Sequence, residues 1–199
     1  MHVAIHTPDG MKFPNLALMK LAAHHKAQGN NVEWFSPLFP ADLVYSSKVF
    51  TFTPEDTYLP ASAIKGGTGY GIMNELPPEI ESLFPDYSIY PGYDKAIGFL
   101  TRGCIRHCPW CIVPEKEGDI RANAAGQEIR RPDSREILFL DNNVLASDWG
   151  LSQMESMVGE KLRIDFNQGM DARLVTPEIA DLLSRLKWIR VMRFSCDTV

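Results

Sequence analysis

At 199 residues, with 45% apolar and 23% charged side chains, the chain suits one large domain or two small ones able to bury a core. Its net charge of −5 argues against a general phosphate-backbone binder and leaves room only for a local basic pocket. No apolar run approaches the roughly 18 residues of a membrane span, and MHVAIHTPDG reaches Pro8 too soon for a secretory signal, so a cytoplasmic location is expected.

The chain opens on HVAIHT, residues 2–7, which reads as a buried strand. Pro14 stands where a helix can start, Leu16, Met19, Ala23 and Ala27 fall on one face with Leu18 and Ala22 beside it, and Gly29 closes the helix. His24 and His25 on this helix are expected to face solvent rather than to bind metal. Val32–Phe35 is the next strand, and Asp42–Tyr45 with Phe50–Phe52 supplies further strand-like sequence. Strand, helix and strand joined by a short return make the unit of a parallel sheet, so residues 1–71 are expected to form a small α/β domain. Residues 63–71, AIKGGTGYG, are rich in glycine; such a loop can admit a phosphate or ring, and a tight turn explains it equally well. Four prolines and little apolar periodicity mark 72–95 as a connecting segment.

A second α/β run fills 96–199. Ala96–Leu100, Glu136–Leu140, Arg163–Phe166 and Trp188–Phe194 read as strands. Between them lie a helix capped near Ser147, with Leu151, Met154 and Met157/Val158 inward, and a second begun by Thr176-Pro177-Glu178, with Ile179, Leu182, Leu183 and Leu186 inward. Four successive βα steps suggest the opening of a (β/α) barrel, where chemistry gathers at the carboxyl ends of the strands. Polar clusters stand at each such end: Cys104, Asp141-Asn142-Asn143, Asn167-Gln168 with Asp171, and Ser195-Cys196-Asp197.

Cys104, Cys108 and Cys111 lie within eight positions, and Cys196 is the only other cysteine. On a helix the three would share a face and could simply be core. Pro109 inside the run opposes that, since an interior proline costs roughly 3 kcal/mol. In a reducing compartment such a trio suits metal rather than disulfides. A closed zinc site wants four ligands, which Cys196 or His107 would have to complete. An iron–sulfur cubane also takes four thiolates, and three would leave one iron open. Arg102 and Arg106 surround the trio with positive charge, which favours thiolate.

The run CIRHCPWC, a C-x3-C-x2-C sequence with Trp110 before its last cysteine, closely resembles the signature of the radical S-adenosylmethionine (SAM) enzymes. Its setting, GFLTRGCIRHCPWCIVPEKEG, is similar to the group in which a cobalamin-binding-like (flavodoxin-like) domain precedes a radical SAM (β/α) barrel. That resemblance implies an N-terminal parallel-sheet domain followed by a partial, four-stranded barrel. It also implies that Cys104, Cys108 and Cys111 hold a [4Fe–4S] cluster, with SAM on the fourth iron. An external one-electron donor of flavodoxin or ferredoxin type would supply the electron that splits SAM into methionine and a 5′-deoxyadenosyl radical. Trp110 would pack near cluster and adenine. Asp141 and Asn143 would take the place of the family's glycine-glycine-glutamate segment and hold SAM's amino group. Asn167 and Gln168, with Asp171 and Arg173, would line the pocket, and Arg193 and Asp197 would reach SAM's ribose or carboxylate.

The family's D-x-H-x-x-G cobalamin loop is replaced by Asp9-Gly10-Met11-Lys12-Phe13-Pro14, so the first domain reads as degenerate and histidine-ligated cobalamin is not expected. No cysteine precedes Cys104, which disfavours the methylthiotransferase branch. Members of the family close six βα units where four are visible here, so a fragment, or a form completed by a partner, is expected. The substrate is not legible. The rival expectation is a non-catalytic zinc or iron–sulfur module that draws its fourth ligand from Cys196 or a partner.

Overall fold

The computed structural model describes residues 1–123 and 129–196. The chain is mixed α/β with parallel sheets, and it divides into two compact units, Met1–Tyr93 and Asp94–Val199. Among the described residues no helix is long and apolar enough to cross a membrane.

The first unit holds β1 (His2–His6), α1 (Leu16–Ala27), β2 (Asn31–Trp34), β3 (Leu43–Ser47), β4 (Ile64–Gly66) and the short α2 (Pro78–Glu81). The strands pair in parallel in the order β2-β1-β3-β4. As the central strand, β1 buries Val3, Ala4 and Ile5 in one unbroken run, as expected of a strand covered on both faces. The helix starts after Pro14: Asn15 is the N-cap, and its side chain accepts the Leu18 N–H at 3.2 Å.

The buried stripe of α1 is Leu18, Met19, Leu21, Ala22 and His25, rotated from the expected Leu16, Met19, Ala23 and Ala27. Nearly every residue from Leu16 to Ala23 is apolar, so the sequence favours no single face and packing on the sheet selects one. The expectation for His25 is corrected by this rotation. Its ring is buried and lies 3.1 Å from the Tyr45 hydroxyl, while His24 stays half-buried beside it.

Phe50–Phe52 is not a strand. The Phe50 carbonyl accepts the Thr53 N–H in a turn, and the two exposed rings stack at 5.2 Å. The glycine run has a physical cause in the fold. Gly67 has φ +97°, and a Cβ there would collide with the Lys48 carbonyl; one at Gly69 would meet Lys48 and Phe50. The glycines admit the chain that follows β3. The segment 72–95, expected to connect two domains, contains α2, and much of it lies along α1. Buried Lys20 pairs with Glu81 at 2.9 Å, Lys26 with Asp86 at 2.7 Å, and the Tyr90 hydroxyl accepts the Asn15 N–H.

The second unit begins with β5 (Ala96–Gly98), β6 (Thr101–Arg102), α3 (Val113–Glu117) and β7 (Arg121–Ala122). It continues through β8 (Glu136–Phe139), α4 (Asp148–Met157), β9 (Arg163–Phe166), β10 (Met170–Asp171), α5 (Pro177–Arg185) and β11 (Phe194–Ser195). Its main sheet is parallel in the order β5-β8-β9, over a core that includes Leu100, Phe139, Met154, Phe166, Leu182 and Leu183. Phe139 and Phe166 stack at 5.1 Å across β8 and β9. Both helices start where their caps direct. Ser147 accepts the Gly150 N–H at 3.2 Å, and Thr176 accepts the Ile179 N–H at 3.3 Å with Pro177 in the first turn.

The expected strand 188–194 is broken. Trp188 makes a single parallel bridge to Ile164, and the Ile189 N–H reaches the Ile164 carbonyl. The chain then leaves β9 and pairs at Phe194–Ser195 with β10 instead. The Arg193 guanidinium still reaches back to Asp165 at 2.6 Å and to the Phe166 carbonyl at 3.2 Å.

Candidate metal-loop site

The three clustered cysteines sit on a loop, 103–120, that is tied at its neck. Thr101 and Arg102 pair antiparallel with Ala122 and Arg121, and the Cys104 N–H donates to the Gly118 carbonyl at 3.2 Å. Below the neck Asn123 donates through its backbone and its side chain to the carbonyls of Leu100 and Phe99. Gly103 enters the loop at φ +79°, so close to the Asp119 carbonyl that a side chain has no space. Inside, the Cys111 N–H closes a turn on the Cys108 carbonyl at 2.9 Å, and α3 follows at once. Pro109 keeps the segment out of a continuous helix, as its lost N–H requires.

The thiols are accessible, and those of Cys104 and Cys111 already receive hydrogen bonds. Cys104 and Cys108 are partly exposed and Cys111 is exposed. The Cys104 sulfur accepts the Arg106 N–H at 3.3 Å and the Asn143 side-chain amide at 3.5 Å, and the Cys111 sulfur accepts the Val113 N–H at 3.5 Å. Among the described residues no three His, Cys, Asp or Glu side chains are gathered into a set that could hold a metal ion.

The donor chemistry nonetheless fits a thiophilic group on two counts. N–H groups aimed at sulfur stabilise the thiolate that a metal needs. In addition, the Asn143 side-chain oxygen is buried with no hydrogen-bond partner beside Cys104, an acceptor suited to an N–H donor from outside the chain.

The other expected site residues separate into two groups. Asp141 and Asn143 both lie against the cysteine loop. Asp141 is fully buried and its oxygens are engaged inside the fold, accepting the Leu100 N–H at 3.0 Å, the Thr101 N–H at 2.6 Å and the Thr101 hydroxyl at 2.7 Å. Burial pushes its pKa up against the pull of those donors, to about 6. Trp110 is 62% exposed on the loop. Asn167 and Gln168 are exposed just past β9, and the Asn167 N–H donates to the Phe139 carbonyl. Arg193 is committed to Asp165 and the end of β9. Asp197 lies outside the described residues.

Asp171 joins two arginines to the loop. Its carboxylate accepts from Arg106 at 3.0 Å and from Arg173 at 2.8 Å. Burial pushes its pKa up, but the hydrogen bonds from Arg173 and Arg106 outweigh that and hold it below the ordinary value. Arg173 is pushed up chiefly by its bond to Asp171, and it also feels the charges of Cys196 and Cys108. Those two cysteines therefore lie within electrostatic reach of one guanidinium.

Glu117 and Asn142 carry site functions that sequence reasoning missed. One Glu117 oxygen accepts both the Gly103 N–H and the Asn142 side-chain amide, each at 2.9 Å, and the other faces Arg102 at 3.3 Å. The acidic run EKEG carried no mark separating Glu117 from its exposed neighbour Glu115.

The fold and the site together define a mixed α/β protein with parallel sheets and a cysteine-bearing loop between β6 and β7 of its second unit. No family model, curated protein or solved structure matches the chain.

Proposed function

We propose that the chain is a radical SAM iron–sulfur protein, with Cys104, Cys108 and Cys111 as ligands of a [4Fe–4S] cluster and SAM as its co-substrate. In this reading the first unit is a degenerate cobalamin-binding-like domain and the second is the opening part of a radical SAM (β/α) barrel. The observation that carries it is the loop: three thiols in C-x3-C-x2-C spacing between β6 and β7, two of them receiving N–H bonds, beside an unpartnered buried acceptor. Such a cluster, once reduced by an external donor, supplies one electron for reductive cleavage of SAM.

This chain's own residues do the positioning. The β6–β7 neck holds both ends of the loop that carries the sulfurs. Arg102 and Arg106 place positive charge close to a group that carries net negative charge, and each is itself fixed by a carboxylate. The Asn143 oxygen offers an acceptor for the ammonium of a bound amino acid moiety.

Anaerobic reconstitution of the full chain tests the proposal. The expected result is about four irons and four sulfides per chain, a broad absorbance near 400 nm and SAM-dependent release of 5′-deoxyadenosine on reduction. A colourless protein with stoichiometric zinc refutes it and favours a non-catalytic module. The shared reach of Arg173 to Cys108 and Cys196 gives that rival its one specific support. Cys196→Ala separates the two, leaving iron content intact if three cysteines suffice and lowering it if Cys196 is a fourth ligand.

A further inference from the structure

Three consecutive residues after β8 each grip a different point of the cysteine loop. Asp141 holds the entry through the amides of Leu100 and Thr101. Asn142 holds Glu117, whose same oxygen fixes the Gly103 N–H, so one atom ties the start of the loop to its helix. Asn143 reaches the Cys104 sulfur itself. Its donor has no room to swing away, since the residue is 2% exposed, and its carbonyl accepts the Ala146 N–H at the head of the turn that buries Val144 and Leu145.

We propose that Asn143 is a positioning residue that sets the electron affinity of whatever metal group the loop carries. The inference rests on the preceding assignment of the three cysteines as cluster ligands. A hydrogen bond donated to a ligand sulfur withdraws electron density and favours the reduced, more negative state, which raises the reduction potential. The other bonds to these sulfurs come from the backbone amides of Arg106 and Val113 and survive any side-chain change. Among the described residues Asn143 supplies the one side-chain donor to a loop sulfur, so a single substitution removes it.

The test is a redox titration with dithionite, followed by the electron paramagnetic resonance signal of the reduced cluster, on the anaerobically reconstituted full chain. One electron passes from dithionite to the cluster, and no bond is made or broken. Asn143→Leu keeps the volume and loses the donor. Asn143→Asp also loses the donor and adds negative charge. Both are expected to lower the midpoint, the first by about tenfold in the reduction equilibrium, or about 59 mV for a one-electron couple. Asn142→Ala loosens the loop without touching sulfur and is expected to keep the wild-type midpoint.

Equal midpoints in wild type and both Asn143 variants overturn the inference and leave the proposed function standing. An equal shift in Asn142→Ala overturns it too, because a loosened loop would then be the cause. Loss of iron from both Asn143 variants while Asn142→Ala loads normally shows anchorage alone and likewise overturns it. A wild-type chain that binds no iron removes the function and the inference together.

Discussion

Exchanging Asp141 for asparagine isolates the electrostatics of one buried carboxyl. Burial raises its pKa from 3.8 to about 6, although the Thr101 hydroxyl and the Leu100 and Thr101 amides all favour the charged form. A carboxyl of this kind binds its proton more tightly in the folded chain than in the unfolded one. Its contribution to stability is therefore complete below pH 3.8 and is lost as pH rises through about 6. The gap of about 2.2 pH units, at about 1.36 kcal/mol each, makes that loss about 3 kcal/mol. An amide in the same place does not titrate. The stability advantage of wild type over Asp141→Asn should accordingly shrink by about 2.4 kcal/mol between pH 4 and pH 8, the unfolded carboxyl being already more than half ionised at pH 4. Urea unfolding at a series of pH values measures it, with 5-fluorotryptophan labelling so that Trp149 and Trp188 report the second unit apart from Trp34. A difference that stays flat refutes the burial argument. One that grows with pH means that the three donors outweigh desolvation and hold the carboxyl below its usual range.

Gly103→Ala puts a Cβ against the Asp119 carbonyl in a left-handed conformation, so the loop should shift and iron retention after reconstitution should fall steeply while Trp34 signals stay unchanged; wild-type iron content would contradict the steric argument. In the first unit, burial lowers the pKa of His6, although Asp56 at 3.2 Å pulls it up. The neutral ring therefore contributes stability that is present above pH 6.5 and lost as the pH falls through the lower pKa of the folded state. An imidazole NMR titration of His6 should give a value below 6.5, and one above it would show that the attraction to Asp56 prevails.

Much of the second unit was legible because its local signals agree with its packing. Ser147 and Thr176 cap the helices they were expected to start, and Arg163–Phe166 is a strand over the same residues that the sequence marked. The turn of α1 was not legible, because a helix with apolar residues on several sides takes its orientation from the sheet it meets, and this brought His25 inside. Nor was the break at residues 188–194, where a β-rich stretch ends by pairing Phe194–Ser195 with β10, a contact between segments far apart in the sequence. The position of the cysteine loop was readable from Gly103 and Pro109. Its anchors at Glu117 and Asn142 were not, since a hydrogen bond between distant polar side chains leaves no periodic trace.

In the second unit, β5, β8 and β9 lie side by side in the order in which they occur along the chain. During synthesis each new strand therefore meets an edge that has already emerged, and no earlier strand has to be displaced to let it in. The residues after β8 that fasten the cysteine loop leave the ribosome only after that loop is complete, so until then the thiols are held by the neck alone. Should the loop carry metal as proposed, metal delivered before β8 docks would meet a looser set of sulfurs than metal delivered afterwards.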